Sequence, residues 1–143
     1  MERILVVGGA GYIGGLVTDR LIDRGYNVTV YDKLLYESRY LKPCNFIFGD
    51  IQDTENLINV SNDFDGIIWL AAIVGDGACS QSPELTIEIN LNSIKRFLKQ
   101  SPRRLIFTST CSVYGAQKGM LDEESEVNPL SLYASTKLEA EKY

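Results

Sequence analysis

The fold of this chain follows from residues 4–14, which read Ile4-Leu5-Val6-Val7-Gly8-Gly9-Ala10-Gly11-Tyr12-Ile13-Gly14. The unbroken aliphatic run at residues 4–7 is typical of a strand that is buried on both faces, as in a parallel sheet. Residues 12–24 favour a helix, because apolar side chains recur at helical spacing and Gly25 is a typical helix stop. The apolar positions of that helix are 13, 16, 17 and 21. The sequence therefore predicts a strand, a glycine-rich turn and a helix in direct succession.

The turn holds three glycines at the spacing G-x-x-G-x-x-G, namely Gly8, Gly11 and Gly14. Between a strand and a helix, such glycines allow the tight turn, the approach of a pyrophosphate to the backbone, and close helix–strand packing. Free N–H groups and the dipole at the helix start attract the anion. Asp32 ends the next predicted strand, where a carboxylate can accept hydrogen bonds from the adenosine ribose. The pattern predicts a dinucleotide site, and a purely structural glycine turn is the alternative.

The type of dinucleotide depends on the charge next to the ribose. The carboxylate of Asp32 would repel a 2′-phosphate, so NAD is expected rather than NADP, although the adjacent Lys33 could soften that repulsion. Asp50 follows the third predicted strand and is placed to meet the adenine edge. The alternative for Asp50 is a turn or helix-capping aspartate.

The rest of the chain alternates strands and helices. Further strands are predicted at residues 27–31, 45–48, 66–72 and 104–109, with helices at 53–60, 83–100 and 132–143 and loops at 73–82 and 115–130. This order is typical of an α/β protein with a doubly wound, mostly parallel sheet and helices on both faces. We expect a Rossmann-like, NAD(P)-binding domain over residues 1–143, with about five strands in the order 3-2-1-4-5.

Composition excludes several function classes. The chain of 143 residues has 14 basic and 19 acidic residues, a net charge of −5, so no nucleic-acid partner is expected. It lacks an apolar stretch of roughly 18 residues, so no membrane span is expected. It has no histidine, which removes Ser-His-Asp and Cys-His catalysis and most zinc chemistry, so we expect no metal. Its cysteines, Cys44, Cys79 and Cys111, are odd in number and widely spaced, as expected of reduced thiols in a cytoplasmic protein.

A tyrosine and a lysine in the last predicted helix are candidates for proton transfer. Tyr133 and Lys137 are four residues apart, so they share one helix face, and the ammonium group is expected to lower the tyrosine pKa. Such a tyrosine could exchange a proton with a carbinol or carbonyl near neutral pH. Hydroxyls that follow the fifth strand could bind the same substrate oxygen, and spacing alone does not choose among Ser109, Thr110 and Ser112.

The chain resembles the extended short-chain dehydrogenase/reductases, in the NAD-dependent epimerase/dehydratase group that acts on nucleotide sugars. The motifs that support this occur in the family's order: the glycine turn at 8–14, Gly49-Asp50-Ile51, Leu70-Ala71-Ala72, residues 109–115 (Ser-Thr-Cys-Ser-Val-Tyr-Gly) and Tyr133-Ala134-Ser135-Thr136-Lys137. They are specific for the superfamily and only weakly specific for the substrate.

The resemblance implies a role for each matching residue. It implies cofactor contacts by the turn that contains Gly8, Gly11, Tyr12, Ile13 and Gly14, and by Asp32, Asp50, Ile51, Ala71 and Ala72. Thr110 matches the catalytic Ser/Thr, Tyr133 the acid/base tyrosine, and Lys137 a catalytic lysine that also holds the nicotinamide ribose. The resemblance implies that Tyr133, like Lys137, also contacts the cofactor. The implied reaction is a transient oxidation of a nucleotide-sugar hydroxyl by NAD. Homodimerisation through helices 83–100 and 132–143 is implied in the same way.

Two features depart from the family pattern. Trp69 stands where many members have a histidine, and we interpret it as a packing residue. Family members are considerably longer, so we expect this chain to lack the substrate domain. A dinucleotide-binding module without activity, either a truncated fragment or a redox-sensing partner, is therefore the alternative to an enzyme. Cys111 and Ser112 replace the Asp-Glu of similar dehydratases, which favours epimerase or simple reductase chemistry.

Overall fold

The computed structural model describes residues 1–100 and 104–143. These residues form two compact units. The first unit comprises Met1–Ala71 and Arg96–Thr108, and the second comprises Ala72–Lys95 and Ser109–Tyr143.

The first unit contains a five-stranded parallel sheet. Its strands are β1 (Arg3–Val7), β2 (Asn27–Asp32), β3 (Asn45–Phe48), β4 (Gly66–Trp69) and β5 (Arg104–Phe107), in the spatial order β3-β2-β1-β4-β5. Every neighbouring pair is parallel, and β1 pairs with both β2 and β4. This confirms the predicted fold class and strand order, and it places the glycine turn at the carboxyl end of the central strand.

Two helices connect strands of the first unit, α1 (Tyr12–Asp23) and α2 (Thr54–Ser61). The Asp53 carboxylate caps α2 by accepting a hydrogen bond from the Asn56 backbone N–H at 3.2 Å. Trp69 is buried at the end of β4 and packs against Phe97, with 5.3 Å between ring centroids, which confirms its interpretation as a packing residue.

The apolar stripe correctly predicts α1 but not its buried face. Ile13 and Leu16 are 61% and 58% exposed, whereas Gly14 and Thr18 are buried. The reason is steric: a Cβ atom on Gly14 would come within 2.6 Å of the α-carbon of Gly9, so α1 packs on the turn through its smallest side chain.

The second unit is helical. It contains α3 (Asp76–Gln81), α4 (Pro83–Ile87), a π-helical turn (Glu88–Asn92), a 3₁₀ turn (Cys111–Tyr114) and α6 (Leu132–Glu141), and α5 (Ser93–Gln100) begins in it. Helix α3 was not expected, because residues 73–82 were predicted to be a loop. Its six residues are too few to show an apolar period. The side-chain amide of the buried Asn90 pairs with the backbone of Ile73, at 2.8 Å to its N–H and 2.9 Å to its carbonyl.

Candidate functional site

Two glycines of the turn are required by packing within the first unit. Gly8 has φ +82, in the left-handed region, and its N–H donates a hydrogen bond to the Tyr31 carbonyl at 2.8 Å. A Cβ atom at Gly8 would lie 2.5 Å from the Ala71 backbone nitrogen. Gly14 is constrained by the close approach of Gly9 described above. These two positions explain the shape of the turn without any ligand.

Gly11 differs, because nothing in the described part of the protein requires it to be a glycine. Its φ is −74, and a Cβ atom there would approach only the Gly8 carbonyl oxygen, at an ordinary 3.6 Å. Gly11 is exposed at the N-terminus of α1, where no described side chain provides a cap. A bare backbone at a helix start is the feature that lets an anion approach closely. The turn therefore fits the pyrophosphate of a dinucleotide.

Asp32 is held next to the turn by two backbone amides. One carboxylate oxygen accepts a hydrogen bond from the Ala10 N–H at 3.1 Å, and the other accepts one from the Leu34 N–H at 2.8 Å. A carboxylate has about four lone-pair sites, so it retains capacity for ribose hydroxyls. The position of Asp32 is therefore compatible with the predicted hydrogen bonds from the adenosine ribose.

Asp50 forms an ion pair with Lys33, with 2.7 Å between Nζ and Oδ2. Burial raises the pKa of Asp50, but the hydrogen bonds from Lys33 and from the Gln52 N–H outweigh burial and hold the pKa below its ordinary value. The pairing also bears on the choice of cofactor. The charge of Lys33 is already compensated by Asp50, so Lys33 is a poor counter-ion for a 2′-phosphate next to Asp32.

The remaining predicted cofactor residues differ in exposure. Tyr12 is 89% exposed beside the turn, and Ile51 is buried. The Ala71 N–H donates to the Val7 carbonyl at 3.0 Å, which holds the Ala71 backbone against Gly8. Ala72 begins the second unit and is partly buried.

An open groove that the sequence did not indicate lies between the start of α1 and residues 37–42 of the first unit. Tyr12, Gly15 and Arg39 are among its lining residues. At one side of the groove Lys42 pairs with Asp19 at 2.5 Å. Residues 37–42 show neither a hydrophobic period nor a known motif, so the sequence gives no signal for this side of the groove.

Thr110 is fixed at the start of the 3₁₀ turn in the second unit. Its hydroxyl accepts a hydrogen bond from the Ser112 N–H at 3.2 Å and donates to the Ser112 hydroxyl at 3.2 Å. Its side chain also lies close enough to the phenol of Tyr133 to affect the pKa of that phenol. Of the three hydroxyls left open by spacing, the one that the resemblance selected contacts the candidate acid/base tyrosine.

Burial reverses the expected effect on the titration of Tyr133. Burial raises the pKa of Tyr133 above 10.0, the side chain of Thr110 opposes this effect, and nearby Cys79 and Cys111 add to it. The net pKa of Tyr133 is therefore raised, whereas the sequence predicts that it is lowered. Lys137 is only 2% exposed, and burial lowers its own pKa from 10.5 to about 8.

None of the helices at 1–100 and 104–143 is both long and apolar enough to cross a membrane. In the same ranges no three side chains of Cys, Asp or Glu are grouped to hold a metal ion. Cys44, Cys79 and Cys111 are free thiols.

Known proteins share both the sequence and the fold of this chain. UDP-glucose 4-epimerase 3 of Oryza sativa subsp. japonica is 29% identical and aligns with 98% of this chain and 43% of its own length. UDP-arabinose 4-epimerase 1 of Arabidopsis thaliana is 31% identical, over 99% of this chain and 38% of its own length. The crystal structure of UDP-glucose 4-epimerase from Brucella ovis in complex with NAD matches 99% of this chain and 46% of that chain, with a TM-score of 0.91 and 29% identity. The chain thus spans less than half the length of these relatives.

The matching regions include both the glycine turn and the Tyr133–Lys137 segment. A family model described as the NAD dependent epimerase/dehydratase family matches residues 4–143. The sheet order, the glycine turn and the tyrosine–lysine helix agree with that match, and the chain belongs to the NAD-dependent epimerase/dehydratase family.

Proposed function

We propose that this chain is the cofactor-binding part of an NAD-dependent UDP-sugar 4-epimerase. The observation that supports the proposal most directly is the grouping in the second unit: the Thr110 hydroxyl contacts the Tyr133 phenol, and Lys137 lies buried one helical turn further along α6. The 4-epimerases named above support the substrate class.

In the first unit, we assign the adenosine diphosphate moiety of NAD to the glycine turn, Asp32 and Asp50. Gly11 leaves room for the pyrophosphate, and Asp32 has the lone pairs to accept the ribose hydroxyls. The Lys33–Asp50 ion pair leaves the charge of Asp32 uncompensated, which favours NAD over NADP.

Bound NAD⁺ supplies a hydride acceptor for the sugar carbon. Tyr133, as a phenolate, accepts the proton of the sugar hydroxyl, and Thr110 hydrogen-bonds the oxygen as carbonyl character develops. The ammonium of Lys137 stabilises the phenolate, which the burial of Tyr133 otherwise disfavours. Return of the proton from Tyr133 to the oxygen, together with return of the hydride from the reduced cofactor to the opposite face of the sugar carbon, would complete the epimer. Cys111 and Ser112 provide no carboxylate next to Thr110, which favours epimerisation over dehydration.

The proposal is tested with a protein of the relatives' length that contains these 143 residues. Incubation with UDP-glucose or UDP-arabinose should give the C4 epimer, measured by chromatography of the sugar nucleotides. Tyr133→Phe should lower kcat by about 10² or more and leave the affinity for NAD⁺ unchanged. Tyr143→Phe removes an exposed hydroxyl from the same helix region and is the matched control. Activity of Tyr133→Phe within threefold of the parent would refute the role of Tyr133.

A dinucleotide-binding module without turnover is the second candidate function. It is favoured by one observation: the glycine turn, Asp32 and Asp50 lie in the first unit, which contains none of Thr110, Tyr133 and Lys137. In either case we propose a cytoplasmic protein, supported by its free thiols. We also propose a homodimer through residues 83–100 and 132–143, supported by the exposed apolar side chains of Leu85 and Ile87 on α4.

A further inference from the structure

We propose that Glu141 is a positioning residue for Lys137 and that the Ser109 hydroxyl anchors its carboxylate. The inference rests on the proposed function, in which Lys137 is the charged partner of the acid/base tyrosine. Glu141 itself touches neither substrate nor cofactor in this proposal, so it acts through Lys137.

The helix places these groups in one row. Tyr133, Lys137 and Glu141 follow one another at intervals of four residues along α6, so their side chains share one helix face. Lys137 is almost completely buried, whereas Glu141 lies at the exposed last turn of the helix. Residues four apart are neighbours on a helix, and the Glu141 carboxylate acts electrostatically on the Lys137 ammonium.

Ser109 fixes the carboxylate from outside the helix. Its hydroxyl donates a hydrogen bond to Oε1 of Glu141. Ser109 directly precedes Thr110, so the anchor connects the end of α6 to the segment that holds the candidate catalytic hydroxyl. An unanchored glutamate at a helix end samples several rotamers, and the hydrogen bond limits them.

The electrostatics agree with this geometry. Burial lowers the pKa of Lys137 to about 8, and Glu141 is the group that opposes this effect. Among the elements packed against α6, Cys79 of α3 and Cys111 of the 3₁₀ turn act on Tyr133. The same elements also carry Asp76 on α3, Glu84 on α4 and Glu88 on the π-helical turn. The other glutamate of α6, Glu139, pairs with Lys142. Glu141 therefore keeps a larger fraction of Lys137 charged near neutral pH.

The test compares Glu141→Gln with Glu139→Gln in the 143-residue chain. The pKa of Lys137 is measured by NMR of ¹³C-labelled lysine ε-carbons, with the resonance assigned by its absence in Lys137→Arg. Glu141→Gln should lower this pKa by about one unit, and Glu139→Gln should leave it unchanged. Ser109→Ala, which keeps the charge and removes the anchor, should lower it by a smaller amount. An unchanged pKa in Glu141→Gln would overturn the inference.

Failure of the proposed function is distinguishable from failure of this inference. In a protein of the relatives' length, the alkaline limb of the kcat/KM profile should move to lower pH in Glu141→Gln by the same amount as the pKa of Lys137. If the pKa moves and the limb does not, the role of Lys137 in the proposed reaction is wrong, while its pairing with Glu141 stands.

Discussion

At the scale of single residues, the turn separates glycines that the fold requires from Gly11, at which the described residues leave room for a side chain. Gly8→Ala places a Cβ atom 2.5 Å from the Ala71 nitrogen at φ +82 and should cost more than about 2 kcal/mol of unfolding free energy. Gly11→Ala meets nothing closer than 3.6 Å, so it should change stability by less than about 1 kcal/mol. The added methyl group should nevertheless weaken NAD⁺ binding by about tenfold or more. Urea unfolding and calorimetric titration measure the two effects; unchanged affinity in Gly11→Ala would contradict the assignment.

Asp32 should determine the preference between the two nicotinamide dinucleotides. The chain should bind NAD⁺ more tightly than NADP⁺, because the carboxylate repels the 2′-phosphate and Lys33 is paired with Asp50. Asp32→Asn removes the charge and keeps an oxygen that can accept a backbone hydrogen bond, so the preference should shrink by about tenfold. Titration of the parent chain and of Asp32→Asn with NAD⁺ and NADP⁺ measures this preference. Asp53→Asn, which removes a carboxylate elsewhere in the first unit, is the control for a lost charge. Equal affinities in the parent chain would refute it.

Burial of Lys137 predicts a characteristic dependence of stability on pH. Because its pKa falls from 10.5 to about 8 on folding, the unfolded chain binds more protons between these values and stability rises with pH there. Below pH 8 the buried charge costs roughly 3 kcal/mol, and above pH 10.5 that cost is absent. Lys137→Met should therefore be more stable than the parent at pH 7, by an amount that decreases as the pH rises from 8 to 10.5.

Urea unfolding of the parent and of Lys137→Met at several pH values measures this difference. The comparison cancels the opposing effect of Cys44 and Cys79, whose raised pKa values reduce stability at alkaline pH in both proteins. Lys142→Met is the control, because Lys142 lies at the exposed end of α6. A difference that does not vary with pH would show that Lys137 is not titrating in a buried environment.

At the scale of elements, the π-helical turn directs one amide into the interior of the second unit. Asn90 satisfies both backbone groups of Ile73 with hydrogen bonds of 2.8 and 2.9 Å. Asn90→Leu has a similar size but leaves a buried N–H without its partner, so it should cost about 2–4 kcal/mol. Asn92→Leu, two residues later and bonded to Glu88, is the control and should cost less than about 1 kcal/mol. Hydrogen exchange at the Ile73 amide should accelerate only in Asn90→Leu.

The same elements show how far the sequence determines the site. Motif spacing predicts β1, the glycine turn and Asp32, because each is a local consequence of backbone geometry. It does not predict that Ile13 is exposed, since the packing of Gly14 on Gly9 overrides the apolar period. Titration behaviour is also inaccessible, because the desolvation of Tyr133 depends on the surrounding helices. The spacing of Lys137 and Glu141 was visible in the sequence, but the depth of Lys137 was not.

At the scale of the whole molecule, the match to less than half of each relative limits what the chain can do alone. We expect the 143-residue chain to bind NAD⁺ weakly and to show no epimerase turnover. The glycine turn, Asp32 and Asp50 all lie in the first 50 residues, so the adenosine contacts are present. Tyr133 and Lys137 lie in the last helix, near the chain end, where a displacement of about 1 Å can cost about 10² in rate.

The experiment incubates the chain with NAD⁺ and, separately, UDP-, GDP- and dTDP-sugars. Sugar nucleotides are separated by chromatography, and NADH is followed by absorbance. Binding of NAD⁺ is measured in parallel by calorimetry, which distinguishes a chain that binds without turnover from one that has not folded. Gly11→Ala serves as the binding control, because it should weaken the binding measured by calorimetry without unfolding the protein. Steady formation of an epimer or a keto-sugar would contradict this expectation and show that residues 1–143 suffice for catalysis.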